Sequence, residues 1–295
     1  MDIKGNYTAL ITPFNKNQEV DYKTLKKLTK FQIANKTDGI VALGSTAESP
    51  TLTEYEKHNI MQTIVKTANN QIPIIAGINA FSLSDALYQA EQRYNEGASA
   101  LLISPPPYIK ATESGLYNYF STLANNSPIP IILYNIPSRT GVNLSINLIY
   151  DLSKNPNIIG LKEASGDLSY ALDISHFTKN NNFSLIAGND NLLLPLLSSG
   201  ATAIISVVGN IDPEICHDVI NLYNRGKIKE SSKLYSYYYK LISGLSIESN
   251  PIPVKYIMSE LGMIEPYYRA PLCPPTNQNK QILENIVCEY GFEKE

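Results

Sequence analysis

The strongest constraint on the fold of this 295-residue chain is a regular alternation of short apolar runs with segments of helical character. Continuous runs of Ile, Leu, Val and Ala are typical of parallel strands that are buried on both faces. Helix signals lie between them, such as the capping-box spacing of Thr53 and Glu56. The apolar runs cover residues 9–12, 40–44, 74–78, 100–104, 129–134, 158–162, 183–187 and 203–208.

Eight strand–helix repeats predict a closed, parallel (β/α)8 barrel, also called a TIM barrel. We place the barrel in residues 1–226, because Gly226 is a typical end for the eighth helix. An open doubly wound sheet is the alternative, but no strand is followed by its G-x-G-x-x-G motif. The remaining residues, 227–295, predict a C-terminal helical appendage with helices over 227–245, 254–262 and 277–291.

Composition excludes several classes of function. The net charge of −3 gives no electrostatic basis for binding nucleic acid or an anionic membrane. The most apolar stretch, 192–208, is broken by proline and glycine, and the first residues lack a signal-peptide pattern. Three isolated cysteines and three unclustered histidines support neither a disulfide framework nor a metal site. We therefore expect a cytoplasmic protein with reduced thiols.

Lys162 is a lone charge in the sixth apolar run, IIGLKEA. Desolvation disfavours the ammonium form, and a neutral amine is a nucleophile toward carbonyl carbon. Tyr134 lies one repeat earlier, so the two side chains should be neighbours at the carboxyl ends of adjacent strands. A tyrosine hydroxyl there could move protons to and from an imine-forming carbon. The alternatives are a lysine that reaches solvent and a tyrosine of the core.

Other polar residues follow strands at the same predicted rim. Ser45 and Thr46 follow the second strand and Tyr108 the fourth, and they could extend a chain of hydroxyl groups. Arg139 follows the fifth strand and offers a bidentate fork for a carboxylate. Taken singly, the two hydroxyl residues could cap a helix, and the arginine could form a surface ion pair.

With these residues assembled, the chain resembles the dihydrodipicolinate synthase family. This family belongs to the pyruvate-dependent class I aldolases, which also include N-acetylneuraminate lyase. The lysine segment is shared by the superfamily, whereas PSRTG and NPIPVK point to the synthases. The matching segments are GSTAES at 44–49, YNIPSRTG at 134–141, GLKEASG at 160–166 and ESNPIPVK at 248–255.

The resemblance implies a role for each of these positions. Lys162 would form a Schiff base with pyruvate, Tyr134 would carry the proton, and Ser45 and Tyr108 would complete the proton relay. Arg139 would bind the carboxylate of L-aspartate 4-semialdehyde. The product would be 4-hydroxy-tetrahydrodipicolinate, a precursor of diaminopimelate and lysine, formed without metal or organic cofactor. The groups expected to hold pyruvate are Thr46, the carbonyl of Ile205 and the nearby Gly188.

The resemblance also implies a homo-oligomer. Family members are usually dimers of dimers, in which Tyr108 would reach into the site of the neighbouring subunit. Pro107 stands where lysine-inhibited members commonly have a second tyrosine. Those members also often have histidines and an asparagine at three further positions, where this chain has Glu54, Lys57 and Phe81. We therefore expect weak or absent feedback inhibition by lysine.

Two departures from the family pattern affect the turn after the second strand. Ser45 replaces the usual threonine, so the hydroxyl is kept but the β-branch that restricts χ1 is lost. Ala47 replaces a usual glycine, and alanine would be strained there if the backbone required a positive φ.

Three other functions compete with the synthase. A sibling lyase that cleaves a longer oxo-acid, such as N-acetylneuraminate or a 2-oxo-3-deoxy-sugar acid, would share Lys162 and Tyr134. A non-catalytic, pyruvate-binding relative would not need to keep that pair. A pyridoxal-phosphate barrel would need a phosphate-binding, glycine-rich turn, whereas the seventh strand is followed by Asp190.

Overall fold

The computed structural model describes residues 1–178 and 182–292, and their strands form a closed parallel barrel. Each strand pairs with the next, and the last pairs with the first to close the ring. The strands are β1 Gly5–Ala9, β2 Gly39–Ala42, β3 Ile74–Ile78, β4 Ala100–Ile103, β5 Ile131–Asn135, β6 Ile158–Glu163, β7 Ser184–Ala187 and β8 Ala203–Ser206.

Helices connect successive strands and surround the barrel. Their ends carry the expected signals: Thr53 and Glu56 form a complete capping box at α2, and Gly291 ends α12 in a left-handed conformation. The helices are α1 Tyr22–Ala34, α2 Glu54–Ala68, α3 Leu83–Asn95, α4 Glu113–Asn126, α5 Pro137–Thr140, α6 Ile146–Leu152, α7 Leu168–Thr178, α8 Leu193–Ser198, α9 Pro213–Asn224, α10 Ile228–Gly244, α11 Ile252–Glu260 and α12 Asn277–Tyr290.

The strands bury side chains on both faces, as continuous apolar runs require. One set of side chains, including Val41, Ile75 and Ile132, fills the inside of the barrel. The alternate set packs in the layer between the strands and the surrounding helices. The predicted (β/α)8 fold is therefore confirmed, and the ring closure rules out the open sheet.

The first strand lies earlier than predicted. We expected it at residues 9–12, but β1 covers Gly5–Ala9. The amide of Leu10 still donates to Val41 of β2, and the chain leaves the barrel after that bond. The amide of Ile11 donates to the side chain of Asn210. The true strand contains Asn6 and Thr8, whose polarity hid it, although both are fully buried. The side-chain Nδ2 of Asn6 donates to the carbonyl of Pro213 over 2.8 Å.

Three helices follow the barrel elements, as the sequence predicted. Helix α10 packs against α9 and α12, and α12 also packs against α11. Helix α11 begins at Ile252, so Pro253 lies in its first turn rather than before it. Proline fits there because the first amides of a helix have no partner within the helix. The division into domains at residue 226 stays a prediction.

Candidate active site

Lys162 and Tyr134 are direct neighbours at the carboxyl ends of β6 and β5. The strand register pairs the two residues. The Nζ atom of Lys162 lies 4.4 Å from the centroid of the Tyr134 ring. Lys162 is only 5% exposed, so its amine does not reach bulk solvent as a surface lysine would. The pair therefore faces the inside of the barrel at its catalytic end.

Two adjoining cavities open at this end of the barrel, and together with the solvent at their mouths they enclose about 800 Å³ and 740 Å³. Ser45, Tyr134, Ile136 and Arg139 line both of them. The second cavity also contains Lys162, Thr46 and Gly188. The site can thus hold two small molecules around one amine, one tyrosine hydroxyl and one guanidinium group.

Glycines let the backbones approach closely around Lys162. A Cβ atom on Gly160 would lie 2.7 Å from the carbonyl oxygen of Ser184, on the neighbouring strand. A Cβ atom on Gly188 would lie 2.5 Å from the carbonyl oxygen of Glu163. Both distances are shorter than any real Cβ contact, so strand packing requires glycine at these two positions.

The turn after β2 presents Ser45 and Thr46 to the cavity. Residues Ser45–Ala47 form one 3₁₀ turn, in which Ser45 is half-buried and Thr46 is buried. Ala47 does not have a positive φ, whereas the next residue, Glu48, does, with a value of 56°. The strain that we considered for Ala47 therefore does not arise from a left-handed backbone at that residue.

Arg139 extends across the rim of the same cavities. It lies in the short helix α5 and is exposed, and its Nη2 donates to the carbonyl of Asn250 over 2.8 Å. Among the described residues its guanidinium forms no ion pair with a carboxylate, so its charge remains available to a ligand.

Tyr108 is not brought to the cavities of its own chain. Its side chain is 93% exposed, while the preceding Pro107 lines the first cavity. The backbone φ of 74° at Tyr108 turns this loop outward from the end of β4. A continuous chain of hydroxyl groups through Tyr108 is therefore not formed within one subunit.

Ile205 and Gly188 belong to the last two strand ends. Ile205 is fully buried on β8, and its side chain is part of the core inside the barrel. Gly188 follows β7, and its amide donates to the carbonyl of Glu163 over 2.8 Å. Gly188 and Val207 line the cavity that contains Lys162, with Ile205 two residues before Val207 on the chain.

Asp190 is a site residue whose position the sequence analysis did not identify. Its carboxylate lines the cavity of Lys162 and accepts from the amides of Val207 and Val208, over 2.8 Å and 3.1 Å. Burial raises the pKa of Asp190, and the hydrogen bonds that its carboxylate accepts oppose this by lowering the pKa. The signal was its place just after the seventh strand, where we had used it only as an argument against a phosphate-binding turn.

Asn250 is the second residue without an assigned role, although its segment carried the resemblance. It approaches from beyond the barrel, and its Nδ2 donates to Thr46 Oγ1 over 2.8 Å. Its carbonyl accepts from Arg139, and its buried Oδ1 has no partner. Asn250 therefore connects the turn after β2 with the arginine at the opposite side of the cavity.

The described residues contain no group of His, Cys, Asp and Glu side chains that could hold a metal ion. They also contain no helix that is both long and apolar enough to span a membrane.

Comparison with known proteins gives full-length matches. The model of the dihydrodipicolinate synthetase family matches residues 2–290. The 4-hydroxy-tetrahydrodipicolinate synthase of Brachyspira hyodysenteriae is 38% identical over 291 residues, covering 99% of both chains. The solved dihydrodipicolinate synthase from Aquifex aeolicus is 35% identical with a TM-score of 0.95, covering 99% of this chain and 100% of that one.

A third relative is the dihydrodipicolinate synthase from Acinetobacter baumannii, solved in complex with pyruvate. It is 36% identical with a TM-score of 0.95, and the match covers 98% of this chain and 99% of that one. Identity of this extent over whole chains, together with the same barrel, leaves one conclusion. The chain belongs to the dihydrodipicolinate synthetase family.

Proposed function

We propose that this chain condenses pyruvate with L-aspartate 4-semialdehyde to give 4-hydroxy-tetrahydrodipicolinate, in the biosynthesis of diaminopimelate and lysine. The observation that carries the proposal is the buried amine of Lys162 against the ring of Tyr134, in a cavity that Arg139 also lines. Relatives in the same family are named 4-hydroxy-tetrahydrodipicolinate synthase, after the product of this reaction.

The first step is formation of an imine. The neutral amine of Lys162 attacks the carbonyl carbon of pyruvate, and the carbonyl oxygen leaves as water. The resulting iminium draws electrons from the pyruvate methyl group, so that a proton can be removed from it. Tyr134, on the neighbouring strand, would carry protons in both steps, with Ser45 as the next hydroxyl of the relay.

The second step joins the two substrates. The enamine carbon attacks the aldehyde carbon of the semialdehyde and forms the new carbon–carbon bond. Arg139 would hold the carboxylate of the semialdehyde, while Thr46, Gly188 and the carbonyl of Ile205 would hold pyruvate. The amino group of the semialdehyde then replaces Lys162 at the imine carbon. This closes the ring and frees the enzyme, so that one water is released overall.

We further propose that the enzyme is a homo-oligomer, with Tyr108 completing the relay of the neighbouring subunit in a dimer of dimers. The support is its 93% exposure on an outward-turned loop of its own chain. A large exposed aromatic of this kind is typical of residues that contact a partner.

Trapping the imine tests the central step. The protein is incubated with pyruvate, reduced with borohydride and digested, and the adduct is located by mass spectrometry. We expect the adduct on Lys162, and none in Lys162→Arg. In Tyr134→Phe, which keeps the ring, the adduct should form more slowly, and turnover should fall by roughly 10²–10⁴-fold.

A second assay defines the substrate. Addition of aspartate semialdehyde should give the cyclic product, whereas N-acetylneuraminate and deoxy-sugar acids should not be cleaved. An adduct on another lysine would contradict the mechanism. Cleavage of a sugar acid without condensation of the semialdehyde would assign the chain to the sibling lyases instead.

A further inference from the structure

A buried ion pair lies directly beneath the turn that carries Ser45 and Thr46. The Nζ atom of Lys255 is 2.6 Å from Glu48 Oε1, and both side chains are completely inaccessible to solvent. The ammonium group also lies 4.4 Å from the centroid of the Phe14 ring and 5.2 Å from that of Tyr268. The pair is therefore enclosed by aromatic rings rather than by water.

A buried ion pair of this kind is not explained by its contribution to the stability of the fold. Removing two charges from water costs several kcal/mol each, and uncharged side chains of similar volume are often as stable. The cost is evident here, because burial lowers the pKa of Lys255 although the neighbouring Glu48 opposes that shift. A directional bond between charged groups does, however, fix the position of the backbone that carries it.

The backbone at Glu48 is continuous with the substrate-binding turn. Glu48 follows the 3₁₀ turn Ser45–Ala47, has a left-handed backbone, and its amide donates to the carbonyl of Ser45 over 3.1 Å. Lys255 lies in α11, outside the barrel strands. Its bond to Glu48 is therefore a direct link between this helix and the turn.

A second link joins the same two parts of the chain. Asn250 precedes α11 by two residues, and its Nδ2 donates to Thr46 Oγ1. On the barrel side, the hydroxyl of Thr12 donates to the carbonyl of Ala47 over 2.8 Å. The turn is thus held from the barrel at Ala47, and from the C-terminal segment at Thr46 and Glu48.

We infer that Glu48 and Lys255 are positioning residues, which hold the turn so that Ser45 and Thr46 meet pyruvate at Lys162. The inference extends the proposed function and rests on it for the identity of the substrate. Loss of the pair should act on pyruvate binding and on imine formation, beyond any effect on folding. Misplacement of a binding group by about 1 Å can cost up to 10²-fold in rate.

The test compares single variants with an uncharged double variant. Lys255→Met and Glu48→Gln each leave one buried charge without its charged partner, and each should lower Tm by roughly 5–15 °C. The double variant Glu48→Gln/Lys255→Met has no unpaired charge, and we expect it to recover most of that loss. Its KM for pyruvate should nevertheless rise by roughly ten- to hundredfold, with slower borohydride trapping at Lys162.

A neighbouring ion pair supplies the matched control. Arg269 joins Glu56 of α2 through its guanidinium, which does not bind the side chains of Ser45 or Thr46. The backbone amide of Arg269 also donates to Glu48 Oε2 over 3.4 Å, and Glu56→Gln leaves that donor in place. Glu56→Gln should therefore lower Tm while leaving the KM for pyruvate unchanged. Should the double variant not fold, Glu48→Asp replaces it, because aspartate keeps a charged partner for Lys255 but is one methylene shorter. A wild-type KM for pyruvate in Glu48→Asp would then overturn the inference.

The outcomes separate the two proposals. Wild-type protein without an adduct on Lys162 would refute the proposed function, and this inference with it. If the wild type forms the adduct and the double variant regains both Tm and the wild-type KM, the pair is merely structural and the inference is overturned. Recovery of Tm with a raised KM supports positioning.

Discussion

At the scale of single residues, the guanidinium of Arg139 is the group at the site whose charge is most clearly free to bind a ligand. Its guanidinium bonds to the backbone carbonyl of Asn250, a neutral acceptor, and its charge meets no carboxylate among the described residues. The other donors of its planar fork can therefore receive a substrate carboxylate in bidentate geometry. Under the proposed function this arrangement would distinguish the two substrates, since Lys162 would hold pyruvate covalently and the semialdehyde would depend on Arg139.

Arg139→Ala should raise the KM for aspartate semialdehyde by roughly ten- to hundredfold and that for pyruvate much less. The reason is the loss of a charge-assisted bond to one substrate alone. Steady-state kinetics with each substrate varied in turn measures the difference. Arg139→Lys is the control, because it keeps the charge without the fork and should give an intermediate value. Equal increases for both substrates would contradict the assigned role.

Residues on the strands could be located from the sequence, whereas residues that act from a distance could not. Lys162 and Tyr134 were expected as neighbours because one repeat separates them, and the register of β5 and β6 pairs them. Asn250 was not expected at the cavity, since it follows the barrel, and no local pattern shows that its side chain returns to Thr46. Likewise, nothing local to Glu48 identifies Lys255 as its partner.

At the scale of elements, Arg269 joins several segments that are distant in sequence. Its guanidinium donates to Glu56 in the first turn of α2, and also to the carbonyls of Gln18 and Thr51. The ion pair and the capping donors at Thr53 lower the pKa of Glu56 to about 2. The start of α2 is thereby held against the chain between α11 and α12.

This ion pair should make stability depend on pH in the acid range. A lowered pKa in the folded state means that the ionised Glu56 stabilises the fold above its unfolded pKa of about 4.3. The contribution, roughly 1–3 kcal/mol, is lost as the pH falls from about 5 toward 2. Thermal unfolding at neutral pH and near pH 3 should show a Tm difference between wild type and Glu56→Gln that shrinks in acid.

Glu214→Gln is the control for that experiment. Glu214 pairs with Lys36 over 2.8 Å, but both side chains are exposed to solvent, so the pair should contribute little to stability. A Tm difference for Glu56→Gln that stays constant with pH would show that the Arg269 pair does not depend on ionisation.

Elements were predicted best where the apolar signal was continuous. β3 lies at the predicted residues, and α12 begins and ends as expected from Thr276 and Gly291. β1 was misplaced because its buried polar residues bond to distant partners, such as Pro213, and such partners leave no local pattern.

At the scale of the whole molecule, the closed barrel followed from the eightfold repeat, because parallel strands with helical crossovers have few ways to bury both faces. The association of subunits that we propose does not follow from the fold of one chain. Because Tyr108 is exposed near the cavity rim, such an association would affect catalysis as well as assembly.

Mixing two inactive variants tests whether Tyr108 acts across subunits. Lys162→Ala and Tyr108→Phe should each lose most condensation activity. In a mixed dimer, the chain with intact Lys162 receives an intact Tyr108 from its partner, so one site in two should be restored. The test unfolds and refolds the two variants together and measures condensation, with light scattering to give the oligomeric state. No recovery in confirmed mixed dimers would place Tyr108 outside the partner's relay.

Lysine should inhibit the enzyme weakly or not at all. Glu54 bonds to Lys57 over 2.7 Å and to Arg93 over 3.3 Å, so the charges at these replaced positions satisfy one another. Phe81 is exposed and offers no polar group to a ligand. Condensation rates with increasing lysine give the measurement, and calorimetry of lysine binding gives a second one. Inhibition at sub-millimolar lysine would contradict the prediction.

The position of Asn250 and Lys255 after the barrel has a consequence for synthesis on the ribosome. All eight strands, with Lys162 and Tyr134 among them, emerge before the residues that hold Ser45 and Thr46 from the C-terminal side. A nascent chain can close its ring while the turn after β2 still lacks those two bonds. The pocket can therefore take its final shape only after residue 255 has emerged, when the strand that carries Lys162 is already complete.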